Sequence, residues 1–200
     1  MYWYNGDIEW LESKPVDTKA LKKVVFYGSS SFTRWESMEA DFPQIQAINL
    51  GFGGSTLAAC AWFYGRVVPR HRPDAIVIYA GDNDLGDGRS PEEVVLFYHQ
   101  LIVEIRKSLG EIPVCFISIK LSPKREYLRG SIEFANACIK ESIDKSTDNL
   151  HYIDIFHLML NNEGKINLDY YDEDGLHLSP SGYALWTDVI GNTIKQLFEK

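Results

Sequence analysis

The chain has few cysteines, no block of like charge and no long apolar run, and each shortage removes a class of protein. Its three cysteines, Cys60, Cys115 and Cys138, are too few and too scattered for a disulfide framework, and none falls in a Cys-x-x-Cys pair. They read as reduced side chains filling a core, which fits a cytoplasmic location. The 28 acidic residues outnumber the 20 basic ones, for a net charge of −8. An acidic surface attracts neither nucleic acid nor an anionic membrane, so neither is an expected partner. No apolar stretch approaches the ~20 residues of a membrane span. The start, MYWYNGDIEW, has neither the basic end nor the apolar centre of a signal peptide. No repeat, low-complexity tract or linker interrupts the 200 residues. One domain over residues 1–200 is expected, with an aromatic extension over residues 1–20 (Tyr2, Trp3, Tyr4 and Trp10) packed on it. The oligomeric state is left open.

Short apolar runs alternate with amphipathic segments. Residues 24–28, 46–51, 74–81, 114–120 and 151–156 read as strands. The run 74–81 is β-branched and apolar on both faces, as a parallel strand covered on both sides should be. Helices are expected over residues 34–41, 55–68 and 124–145, from Ser90-Pro91 onward, and from Ser179-Pro180 to about residue 198. Ser90 suits the N-cap, Pro91 the first helical position, and Glu93 can close a capping box. Five strands alternating with helices predict an α/β three-layer sandwich. Its parallel sheet, in the order 2-1-3-4-5, carries helices on both faces. Such sheets bind ligands beyond the C-terminal ends of their strands.

Four of those ends carry unusual residues: Gly28-Ser29-Ser30-Ser31, the run from Asn49 to Ser55, Gly81-Asp82-Asn83-Asp84, and Asp172 to His177. A serine hydroxyl becomes a competent nucleophile when an adjacent base takes its proton. Histidine is the usual base, and a carboxylate fixes its tautomer and stabilises the imidazolium. Asp174 lies three residues before His177, within reach of such pairing. A tetrahedral oxyanion needs preorganised donors, which the N–H of Gly54, the Asn83 amide and the serine's own N–H can supply. The chemistry alone does not choose among Ser29, Ser30 and Ser31.

At these four places the chain resembles the SGNH hydrolases, the GDSL family of esterases and lipases, with the blocks in family order from Val24 to the last helix. VVFYGSSS resembles the first block, a strand followed by Gly-Asp-Ser, with Ser29 in place of the aspartate and Ser30 on the nucleophile. NLGFGG resembles the second and puts Gly54 on the oxyanion glycine. Gly81-Asp82-Asn83-Asp84 is similar to Gly-x-Asn-Asp and puts Asn83 on the oxyanion amide. Asp174-Gly175-Leu176-His177 is similar to Asp-x-x-His, with Asp174 orienting and His177 acting as base. The resemblance implies a flavodoxin-like fold and a serine esterase; the family is broad and does not name a substrate, and a small-molecule ester with a small acyl group is the expected one. The resemblance implies no metal, no organic cofactor and no stable membrane insertion. Acyl transfer and thioester hydrolysis on the same site are the alternatives, with a non-catalytic binding protein of this fold behind them.

Other readings fit less well. The α/β-hydrolase elbow, G-x-S-x-G, fails at Phe32. No Gly-Lys-Ser/Thr phosphate loop exists, and GFGGST lacks the dinucleotide spacing. Asp82, Asp84 and Glu93 fall at calcium-loop positions, but Gly86 and Asp87 stand where a ligand and the turn glycine belong. The remaining histidines, His71, His99, His151 and His157, read as structural. Phe32, Trp35 and Phe52 are candidates for either a pocket wall or the core.

Overall fold

A computed structural model describes residues 1–16 and 21–199; residues 17–20 of the expected N-terminal extension lie outside them. Five parallel strands run in the order β2-β1-β3-β4-β5, the order expected from the connections. They are β1 (Lys23–Gly28), β2 (Gln46–Gly51), β3 (Ala75–Tyr79), β4 (Val114–Ile117) and β5 (Leu150–Ile153). Side chains along a strand point alternately to opposite faces, so one sheet builds two cores. Val25, Tyr27, Ile76, Ile78, Val114 and Phe116 face one core. Val24, Phe26, Val77, Tyr79, Cys115 and Ile117 face the other.

The first core is covered by α1 (Asn5–Ser13), α4 (Leu57–Val67), α6 (Pro91–Leu109) and α7 (Arg129–Lys145). The second is covered by α8 (Pro180–Phe198), together with the one-turn helices α2 (Ser30–Thr33) and α3 (Met38–Asp41). Buried aromatics dominate this second face: Trp186 packs edge-on against Tyr79 at 4.8 Å and against Phe32 at 6.3 Å. Phe32, Trp35 and Phe52 are all buried to within 2% and belong to the core.

Several expected boundaries hold, because local chemistry sets them. Ser90 and Glu93 form the capping box, with Pro91 opening α6. Ser179 caps α8 by accepting from the Gly182 N–H. Two helices differ from expectation. The segment 34–41 is not one helix; α2 ends at Thr33 and α3 begins at Met38, because Trp35 turns inward and splits the segment. The segment 124–145 begins as a 3-10 stretch, Pro123–Leu128, with Arg125 outside helical geometry, and becomes α-helical only at Arg129.

The end of β1 is shaped by one glycine. Gly28 adopts φ +139, and a Cβ there would lie 2.0 Å from the Tyr79 carbonyl oxygen. Only glycine permits this approach, which lets the Ser29 N–H donate to that oxygen at 2.9 Å. The chain leaving β1 is thereby pinned to the end of β3. Among the described residues no helix is long and apolar enough to cross a membrane.

Candidate active site

The loops that leave β1, β2 and β3 emerge side by side, because Gly28 aligns with Gly51 on one neighbour and Tyr79 on the other. Ser29 is the N-cap of α2; its buried hydroxyl accepts from the Ser31 N–H at 3.4 Å. Aspartate caps helices as well as serine does, so the Ser29 departure from the family pattern keeps the local job. Ser31 is also buried, and its carbonyl accepts from the Tyr183 hydroxyl at 2.9 Å. Ser30 stands between them, half-exposed, with Oγ 3.2 Å from His177 Nε2. Geometry therefore separates three serines that chemistry alone left equivalent.

His177 is presented by a loop closed by the bridge between Tyr171 and Leu178. Within it, the Asp174 carboxylate holds His177 twice. Oδ2 lies 2.5 Å from Nδ1, and Oδ1 accepts from the His177 backbone N–H at 2.9 Å. Oδ1 also accepts from the Leu176 N–H at 2.9 Å. These hydrogen bonds, the one with the His177 ring first, hold the Asp174 carboxyl well below the usual carboxylate range. Asp174 is nevertheless exposed at the rim, with Arg34 Nη1 3.8 Å from Oδ2.

Gly54 lies on an exposed turn with φ +66, and its carbonyl accepts from the Tyr4 hydroxyl at 2.8 Å. Asn83 lies in α5 (Asp82–Gly86), and its Nδ2 donates to the Ser55 carbonyl at 3.0 Å. That bond joins the second loop to the third. Asp84 reinforces the join: its buried carboxylate accepts from the Leu57 N–H at 2.7 Å, at the start of α4. Burial pushes the Asp84 carboxyl up to about 6. Asn49 fastens the other side, donating from Nδ2 to the Phe32 carbonyl at 2.6 Å. All five residues singled out from the sequence, Ser30, Gly54, Asn83, Asp174 and His177, thus lie in the segments that follow the strands; Gly54 and Asp174 are exposed, and Ser30, Asn83 and His177 are partly buried.

Two participants, Arg125 and Lys120, had no sequence signal, and a third, Tyr4, was visible only as part of the aromatic N-terminal segment. Arg125 donates from Nη2 to Asn83 Oδ1 at 2.7 Å, and its Nη1 lies 2.8 Å from Asp82 Oδ2. Lys120 is buried, and its Nζ reaches the same Asp82 oxygen at 3.4 Å. Burial lowers the Lys120 amine below its ordinary range, with Asp82 opposing the shift. Tyr4 joins the site from the N-terminal segment. The calcium-loop reading fails on the same contacts: Asp82 pairs with two cations, Asp84 caps α4 and Glu93 caps α6. Among the described residues, no cluster of three or more histidine, cysteine and carboxylate side chains is arranged for a metal ion.

Solved structures share this fold. The chain is similar to a candidate acylhydrolase from Bacteroides fragilis, with 23% identity, a TM-score of 0.80 and coverage of 98% of this chain and 96% of that one. It is similar to a GDSL-like lipase from Bacteroides thetaiotaomicron, with 22% identity, a TM-score of 0.78 and coverage of 96% and 97%. It is also similar to a carbohydrate esterase of family 3 from Talaromyces cellulolyticus, with 17% identity, a TM-score of 0.67 and coverage of 90% and 99%. At these identities the likeness is one of fold. No curated protein sequence matches the chain. Its sequence over residues 19–185 matches the GDSL-like Lipase/Acylhydrolase family. With that match spanning most of its length and the SGNH hydrolase fold beneath it, the chain belongs to the GDSL-like lipase and acylhydrolase family.

Proposed function

We propose that this protein is a serine esterase that hydrolyses a carboxylic ester through Ser30, His177 and Asp174. The observation that carries the reading is the continuous relay Ser30 Oγ, His177 Nε2, His177 Nδ1, Asp174 Oδ2, with links of 3.2 and 2.5 Å. The Asp174 carboxylate accepts from Nδ1–H, which leaves Nε2 as the lone-pair nitrogen facing the serine. Because Asp174 is held charged well below neutral pH, it can stabilise the imidazolium that forms.

Ser30 Oγ attacks the ester carbonyl as its proton passes to His177 Nε2. The oxyanion is held by the N–H groups of Ser30 and Gly54 and by one Asn83 amide hydrogen. Ser30 opens α2, where a backbone N–H has no acceptor within the helix and is free for a ligand. Asn83 has two amide hydrogens and gives one to Ser55, so the second remains for the oxyanion. The carbonyl re-forms, the ester C–O bond breaks, and the leaving alkoxide takes the proton from Nε2. Water then gives a proton to Nε2 as it attacks the acyl-serine, and a second collapse returns that proton to Ser30 and releases the acid. Each oxyanion donor contributes about 3 kcal/mol of transition-state stabilisation.

A small acyl group suits the surroundings. Phe32, Trp35 and Phe52, which follow the strand ends near Ser30 and Gly54, are committed to the core rather than to the walls of a long acyl channel. The substrate is taken to be a small-molecule ester, with no nucleic-acid partner, in keeping with the acidic surface.

A fluorophosphonate probe tests the reading. The wild type should be labelled at Ser30 and should hydrolyse short acyl esters, and Ser30→Ala should do neither while keeping its melting temperature. Undiminished labelling of Ser30→Ala would refute the assignment.

A further inference from the structure

We infer that Arg125 is a positioning residue for the oxyanion amide: it locks the Asn83 carboxamide with its N–H end toward the reacting carbonyl and strengthens that donor. The inference rests on the function proposed above and adds a residue that no part of that mechanism requires.

A carboxamide is nearly symmetric in shape, but its two ends do opposite things. Only the nitrogen end can hold an oxyanion; the oxygen end would repel it. Asn83 is gripped at both ends. Arg125 Nη2 donates to Oδ1 at 2.7 Å, and Nδ2 donates to the Ser55 carbonyl at 3.0 Å. A guanidinium is a donor only and stays charged throughout the working pH range. Flipping the amide would set N–H against N–H at Arg125 and carbonyl against carbonyl at Ser55. The cation therefore decides which way round the amide sits. It also draws electron density toward Oδ1, which makes the remaining amide hydrogen a stronger donor.

Arg125 is itself built in. Its side chain is only 14% exposed, and Nη1 sits 2.8 Å from Asp82 Oδ2, which Lys120 approaches from the other side. The guanidinium lies against the bare backbone of Gly86, at the end of the same helix that carries Asn83. A Cβ on Gly86 would lie 3.0 Å from Arg125 Nε and Nη2. Gly86 has no positive φ, so alanine suits its backbone. The neighbouring Lys124 N–H donates to the Gly175 carbonyl at 2.9 Å, which ties this segment to the loop carrying Asp174 and His177. One stretch of chain after β4 thus braces the amide donor and the acid–base loop together.

The rival reading is that Arg125 only neutralises buried Asp82. A double-variant cycle separates the two. Arg125→Met should lower kcat by about tenfold or more with KM little changed, the signature of a lost transition-state interaction. Asn83→Ala should lose more. The double variant should turn over about as slowly as Asn83→Ala alone, because Arg125 acts through that amide. Arg125→Lys, which keeps a charged donor, should recover part of the loss. Gly86→Ala should melt at or above the wild-type temperature yet lose kcat, since alanine favours the helix while its methyl crowds the guanidinium and shifts it by a few tenths of an ångström against Asn83. This variant also covers the case in which Arg125→Met fails to fold.

Wild-type kcat in Arg125→Met, or losses that multiply in the double variant, would overturn the inference. The Asn83 side-chain amide resonance, identified by its disappearance in Asn83→Ala, gives a readout independent of turnover. It should shift in Arg125→Met and in Gly86→Ala, and an unmoved resonance overturns the inference even if no ester is turned over. Failure of the wild type to react with the fluorophosphonate would instead count against the esterase reading alone.

Discussion

The Tyr4 hydroxyl donates a 2.8 Å hydrogen bond to the Gly54 carbonyl, across 50 residues of chain. Its ring is buried, edge-on to Phe52 at 5.4 Å and to Phe63 at 6.2 Å. The N-terminal aromatic segment therefore does more than cover the outer helices. It anchors the exposed turn of Gly54, the residue proposed to donate to the oxyanion. Tyr4→Phe keeps the ring and removes the anchor. It should cost about 1 kcal/mol of stability and lower kcat several-fold. Tyr2→Ala, at a position 86% exposed, should change neither. Equal kinetics for Tyr4→Phe and wild type would show that the turn holds its geometry unaided.

Ser29 and Ser30 should separate cleanly by assay. Ser29→Ala loses the N-cap of α2, worth about 1 kcal/mol, and should melt a few degrees lower while still reacting with a fluorophosphonate. Ser30→Ala should keep its melting temperature and lose the reaction. A Ser29→Ala protein that melts normally and no longer reacts would reverse the two roles.

Asp84 gives a stability test with a definite sign. Its folded carboxyl is raised to about 6 by burial, from an ordinary 3.8. Below both values it is protonated folded and unfolded, and its contribution is fully present. Between them the folded state alone holds the proton, so stability falls as pH rises, and the loss is complete above the folded value. Asp84→Asn removes this titration. Urea midpoints from pH 4 to 7 should show the wild type losing about 2 kcal/mol relative to the variant. Two parallel curves would mean that Asp84 titrates normally.

The layers of the fold were legible because the signals that set them are local. Alternating apolar runs have a period, and caps such as Ser90 and Ser179 act within three residues of themselves. The split of segment 34–41 was not legible, since its cause is the burial of Trp35 against aromatics from α8, far along the chain. The same division runs through the site. Gly54, Asn83 and the Asp174–His177 pair stand in short motifs at strand ends, where residue types announce their chemistry.

What the sequence determined by itself was the set of chemical groups, the strands that carry them, and the edge of the sheet where they gather. The family resemblance put the nucleophile on Ser30; tertiary structure supplied the physical reason that Ser30 and not Ser29 or Ser31 meets His177, the direction in which α2 leaves Gly28 over the Tyr79 carbonyl. It alone brought Arg125 to Asn83, 42 residues away, and Tyr4 to Gly54. No spacing rule links such pairs. Their partners are chosen by the packing of separate elements, and that information is distributed over the whole core.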